Sequence, residues 1–129
     1  MSSIFSKIIK GEIPCYKVAE NEQFLAFLDS MPLKKGHVLV IPKVEVDFIF
    51  DMEDALLGDM MIFSKEVAQK MKRVLPCKKI GVTVIGLEVP HAHIHLIPID
   101  SVTDMDFSKQ KLSLPADEQM ALAKQLLEA

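Results

Sequence analysis

From His91 to Leu96 the chain alternates strictly, His-Ala-His-Ile-His-Leu. Successive side chains of a strand point to opposite faces, so one face carries three imidazoles and the other Ala92, Ile94 and Leu96. The segment predicts a half-buried strand, its apolar set against a core and its ladder of imidazoles on the exposed face. Each ring brings a donor and an acceptor that need partners, which makes such a ladder poor packing and points to chemistry. Its interior position and intervening apolar residues exclude an affinity tag.

The rest of the chain supplies the sheet and helices around that strand. Ser3 to Lys10 predicts a short helix, with Ser3 as N-cap, Phe5, Ile8 and Ile9 on the apolar face and Gly11 as the stop. Tyr16–Ala19 reads as a strand, and Phe24–Leu28 (FLAFL) as one buried on both faces. Asp29–Gly36 is a loop, followed by a strand over His37–Ile41 closed by Pro42. Leu56, Met60, Phe63, Val67, Met71 and Val74 recur every three or four residues, marking one long helix over Glu53–Leu75. Two strands, Lys79–Ile85 and Val89–Ile99, an irregular stretch over Asp100–Ser113 and a helix after Pro115 complete the order. That order predicts an α+β fold around an antiparallel sheet, built as one domain over residues 1–129.

Composition narrows the partners. A net charge of -3 lacks the basic excess of a nucleic-acid binder, and the basic residues are lysines except Arg73. Any phosphate bound here is thus expected outside an arginine fork. Cys15 and Cys77 form neither a disulfide framework nor a CxxC pair. The start, MSSIFSKIIKGEIP, carries lysines where a secretory signal needs an unbroken apolar stretch. No apolar run approaches the ~20 residues of a membrane span. A cytoplasmic chain without membrane attachment is expected.

Two chemistries suit the ladder. The imidazoles could ligate zinc, copper or iron, with Glu88 as a fourth donor. Yet outer Cα atoms ~13 Å apart on one strand converge poorly on a single ion. Alternatively, one imidazole attacks a phosphorus while its neighbours donate hydrogen bonds to the oxyanion.

PHAHIHLIP resembles the signature of the histidine triad family, three histidines alternating with apolar residues. IFSKIIKGEIP and FLAFLDSMPLKKGHVLVIPK are similar to the N-terminal half of its nucleotide-binding, purine nucleoside phosphoramidase branch. Together these stretches cover roughly the first 100 residues; residues 100–129, with a terminal helix, diverge from the tryptophan-containing end of the animal members.

The resemblance implies a five-stranded antiparallel sheet with one long helix and short flanking helices, joined across a homodimer into ten strands. It implies hydrolysis of purine nucleoside phosphoramidates or related AMP conjugates through a nucleotidyl-histidine. His93 would be the nucleophile, His91 and His95 its orienting and phosphate-binding partners, and His37 a buttress. Asp29 would hold the ribose hydroxyls, while Phe5, Ile8, Ile13, Phe27 and Leu39 would line the nucleoside pocket. Read without the family, the apolar five are equally ordinary core, His37 a surface residue at a strand end, and Asp29 a loop cap.

Departures from the family pattern concern the connection VIGLEVPH. Gly86 remains, Leu87 replaces the usual glutamine, and Glu88 falls where many members have Ser or Thr. Two neutral donors are missing, and a carboxylate stands near the expected phosphate or leaving group, where it could serve as acid or base. Ser3 and Ser6 stand where some relatives carry zinc-binding cysteines, so no zinc or other cofactor is expected, and magnesium enters only as a substrate counter-ion. The alternatives are diadenosine polyphosphate hydrolysis, a metal-binding histidine ladder, and a catalytically weak nucleotide-binding or scaffold protein.

Overall fold

The computed structural model describes residues 2–129. Helix α1 (Ile4–Ile9) starts at Ser3, whose hydroxyl accepts the Ser6 N–H at 3.0 Å. Strands β1 (Tyr16–Glu20), β2 (Phe24–Leu28) and β3 (Val38–Pro42) follow. Next come a 3-10 turn (Ile49–Asp51) and the long helix α2 (Asp54–Val74). Strands β4 (Lys79–Thr83) and β5 (Ile94–Ile99), a second 3-10 turn (Val102–Met105) and α3 (Ala116–Glu128) complete the order. The five strands form one antiparallel sheet in the order β1-β2-β3-β5-β4. No helix among the described residues is long and apolar enough to cross a membrane, and both cysteines are free.

Alternation assigns each strand's side chains to one of two cores. Phe24, Ala26, Leu28, Val38, Val40, Ile94 and Leu96 pack in a cluster with Met60, Phe63, Val67 and Met71 of α2 and Leu122, Ala123 and Leu126 of α3. The period of 3.6 aims that stripe of α2 inward, and each such buried side chain contributes roughly 1.5–3 kcal/mol. On the other face Leu25, Phe27, Leu39 and Ile41 pack with Phe5 from α1. FLAFL is therefore buried at every position.

Three expectations are corrected. The last strand starts at Ile94 rather than Val89. The backbone before it turns away from the sheet: His91 N–H bonds Val89 C=O at 2.8 Å, and Ala92 N–H bonds Val46 C=O at 2.6 Å. Those donors are spent outside a ladder, and β4, opposite at Thr83↔His95, ends there too rather than at Ile85. The imidazole face, expected to be exposed, is buried, with His91 at 0%, His93 at 7% and His95 at 7% relative exposure. Packing of α1 over that face makes it a second core.

Candidate active site

β3 and β5 pair with Leu39 opposite His95, so His95 lies beside the apolar side chains of the second face. His37 precedes β3, just after Gly36, whose φ of +94° is readily adopted only without a Cβ. A side chain at Gly36 would also run into Leu75. This turn places His37 not at the surface but inside, at 1% exposure.

The hydrogen bonds fix the protons. Leu33 N–H donates to His37 Nδ1 at 3.1 Å, so a neutral His37 carries its proton on Nε2. That proton faces His95 Nδ1, 3.0 Å away, which leaves the His95 proton on Nε2. His93 Nδ1 lies 2.8 Å from the carbonyl oxygen of His91, which can only accept. The proton of His93 is therefore on Nδ1, and Nε2 keeps a lone pair with no partner among the described residues. The His91 ring is occupied on both sides. Its Nε2–H donates to Pro42 C=O at 2.8 Å, and the Ser3 hydroxyl donates to its Nδ1 at 2.8 Å. Glu45 completes this end, accepting from Ser3 N–H at 2.6 Å and from the Ser6 hydroxyl at 2.7 Å.

Electrostatics favours the neutral rings. Burial, aided by the charges of His95, Lys111 and His93, pushes His37 down to about 3. Burial, with His93 and Lys111, pushes His95 to about 4. The His91 imidazole is lowered by burial too, partly opposed by Pro42 and Glu45. Asp29 is raised above the usual carboxylate range by burial; the Met31 N–H, His93 and Lys111 oppose the rise and Glu88 adds to it.

Asp29 closes one side of the cluster. Its Oδ1 accepts the Met31 N–H at 2.9 Å, capping the loop, while Oδ2 lies 3.7 Å from His37 Nε2. Buried Gln119 of α3 grips its carbonyl at 3.1 Å. Of the apolar residues singled out from sequence, Phe5 stands edge-on to His93 at 5.1 Å, His91 at 5.9 Å and Phe27 at 5.6 Å. Phe27 and Leu39 share its cluster and Ile8 packs against it, whereas Ile13 is half-buried outside it. Glu88 is exposed on the loop before the triad.

Ligand atoms of Asp29, His37 and His95 lie within 4.8 Å of one another; the three triad rings form no such group among the described residues. His37 Nε2 and His95 Nδ1 are already joined by one proton.

Sequence reasoning missed the far side. Phe107, from the stretch after β5, sets its ring 4.8 Å from that of His95 and 6.1 Å from that of His37, edge-on to both. Lys111 lies over the Phe107 ring at 5.6 Å. Neither residue belongs to a periodic run, and no local signal marked them.

Residues 10–102 match the HIT domain family. The chain belongs to the HIT family. An uncharacterized HIT-like protein of Borreliella burgdorferi is 34% identical over 95% of this chain and 94% of its own. The adenosine 5'-monophosphoramidase of Schizosaccharomyces pombe is 39% identical over 76% of this chain and 74% of its own. Among solved HIT structures, a Hit-like protein of Bartonella henselae involved in cell-cycle regulation superposes with a TM-score of 0.84 at 27% identity, covering 98% of this chain and 95% of that one. The superposition reaches past the family match into the region of Phe107 and Lys111.

Proposed function

We propose that this HIT protein hydrolyses purine nucleoside phosphoramidates or related AMP conjugates by double displacement through His93. The observation that carries the reading is the lone pair on His93 Nε2, held unpartnered because the His91 carbonyl takes the Nδ1 proton. Kinship with an adenosine 5'-monophosphoramidase supports the substrate class.

In this mechanism Nε2 attacks the α-phosphorus as the bond to the leaving group breaks, and the departing amine takes up a proton. His95 Nε2–H, oriented through His37, donates to a phosphate oxygen as negative charge develops. Water then attacks the phosphorus, loses a proton, and frees AMP and the imidazole. The Asp29 carboxylate holds the ribose hydroxyls. Phe5, Ile8, Phe27 and Leu39, with Ile13 at the margin, enclose the nucleoside, while Glu88 faces the leaving group from its exposed loop. Metal is not required for these steps, and magnesium accompanies only polyphosphate substrates.

We also infer a homodimer. β4 is an edge of the sheet, Val82 on it is 51% exposed, and Val84 and Ile85 just past its end are 38% and 45% exposed. Bare apolar edges invite pairing with a second strand, and a two-fold axis satisfies both copies at once.

The test is to quench the chelated protein during turnover of an adenosine phosphoramidate and measure its intact mass. An acid-labile adenylyl adduct on His93, absent in His93→Ala while that variant still binds AMP, is expected. An adduct on another histidine, or turnover abolished by chelation, overturns the reading.

A further inference from the structure

The segment that follows β5 is fastened over the site at both ends. Ser101 and Asp104 form a capping box at its start, and Leu112 N–H bonds Pro32 C=O at 2.8 Å, tying its end to the loop that carries Asp29. Between these anchors Phe107 lies against His95 and His37, and the Lys111 ammonium lies over that ring at 5.6 Å. The ammonium donates to Phe107 C=O at 2.7 Å and Lys109 C=O at 3.3 Å, and no carboxylate forms a salt bridge with it among the described residues. A half-buried cation resting on backbone carbonyls and an aromatic edge is available to a stronger anionic partner.

The neighbouring groups leave a charge unanswered. His37 and His95, held well below neutral pH, donate hydrogen bonds but bring no positive charge. Leu87 and exposed Glu88 offer an anion no side-chain donor. Arg73, the lone arginine, stands at the far end of α2. The charge of Lys111, in contrast, is felt at Asp29, His37 and His95 alike. Phe107 links the two, its ring 4.8 Å from that of His95 and 5.6 Å from the Lys111 ammonium, which puts that charge at the margin of the site. A cation at the margin suits a group beyond the α-phosphate, since the Nε2–H of His95 is the nearer donor to the α-phosphate itself.

We propose that Lys111 widens specificity by leaving Phe107 to pair with an anionic leaving group, above all a second phosphate, so that AMP joined to phosphate is accepted alongside AMP joined to a neutral amine. The proposal rests on the adenylyl-transfer reading of His93 and adds a second class of leaving group to it.

The test compares native protein with Lys111→Gln and Lys111→Arg on two substrates, an adenosine phosphoramidate with an uncharged amine and a diadenosine polyphosphate. Lys111→Met, which keeps the stem over Phe107, replaces the glutamine variant if that one does not fold. Loss of a charge-assisted hydrogen bond is expected to lower kcat/KM for the polyphosphate about 10–100-fold. The phosphoramidate is expected to change less than about threefold, and Lys111→Arg to retain most of the polyphosphate rate. Calorimetry of AMP and ADP gives a readout independent of turnover: native protein prefers ADP, and the uncharged variants lose that preference. Equal losses on both substrates, or an unchanged ADP-to-AMP ratio, overturn the inference. Lost ADP preference in a protein that turns over neither substrate overturns the hydrolase reading while the role of Lys111 stands, and absence of any nucleotide binding overturns both.

Discussion

The Nε2 proton of His37 is directed at Nδ1 of His95, 3.0 Å away, because the N–H of Leu33 occupies the other nitrogen of His37. One backbone amide thus sets two tautomers in sequence, and the free end of the series is an N–H on His95. The arrangement depends on both rings staying neutral, which burial secures.

Stability is expected to fall on acidification. In the unfolded chain these histidines titrate near ~6.5, whereas folded His37 and His95 titrate at about 3 and about 4. Between those values the unfolded state binds more protons, so stability rises with pH across the window and is lost as pH drops from about 6.5 toward 4. Each group contributes at most ~1.4 kcal/mol per pH unit there. Urea unfolding between pH 4 and 8 should show this slope, and His37→Gln should flatten it. A slope unchanged in the variant would assign the acid sensitivity elsewhere.

Local pattern carried most of the fold and little of the site's surroundings. The Ser3 cap, the buried FLAFL strand and the stripe of α2 were legible because each is a property of a few adjacent residues. The late start of β5 was not, since Ala92 spends its N–H on Val46, 46 residues away in sequence and visible only once the chain is folded. Burial of the imidazole face has the same origin: α1, at the opposite end of the sequence, covers His91 and His93, and Phe107 covers His95. The triad announced itself by alternation. Phe107, Lys111, Glu45 and Gln119 reach the site from an irregular stretch, a loop and a helix, where only tertiary contact gives them meaning.

The loop cap made by Asp29 and the ribose contact proposed for it separate by substitution. Its Oδ1 caps the loop at Met31, and Oδ2, 3.7 Å from His37 Nε2, is the oxygen proposed to meet the ribose. Asp29→Asn keeps an acceptor for the Met31 amide, so its melting temperature should stay near that of the native protein. Asp29→Ala loses that bond and about 0.5–1.5 kcal/mol. Both should raise KM with little change in kcat, because the carboxylate acts away from the phosphorus. A collapse of kcat at constant KM would show that Asp29 is not a ribose contact.

The free edge of β4 predicts the assembly. A charge at Val82, 51% exposed and on the same face as Ile80, should disfavour strand pairing across a two-fold axis without disturbing the monomer core. Native protein is expected to sediment as a dimer at micromolar concentration and Val82→Lys as a monomer. A native monomer at every concentration would reject the pairing.

The last prediction separates the two outer histidines of the triad. His91 supports His93 through its main-chain carbonyl, and its own ring is spent on Pro42 and Ser3. His91→Ala keeps that carbonyl, so the His93 tautomer should survive. The cost should appear as stability, a cavity at a fully buried site together with an unpaired Pro42 carbonyl and Ser3 hydroxyl, on the order of 2–4 kcal/mol. His95→Ala removes the N–H that the proposed mechanism aims at the phosphate and leaves His37 without its acceptor. Its kcat should fall about 10²–10³-fold, the range seen when one oxyanion donor is lost. Single-turnover rates, measured well below each variant's melting temperature, distinguish the cases: His91→Ala should remain within about tenfold of native. An equal loss of rate in both would mean that the His91 ring acts on the phosphate, after giving up its bonds to Pro42 and Ser3.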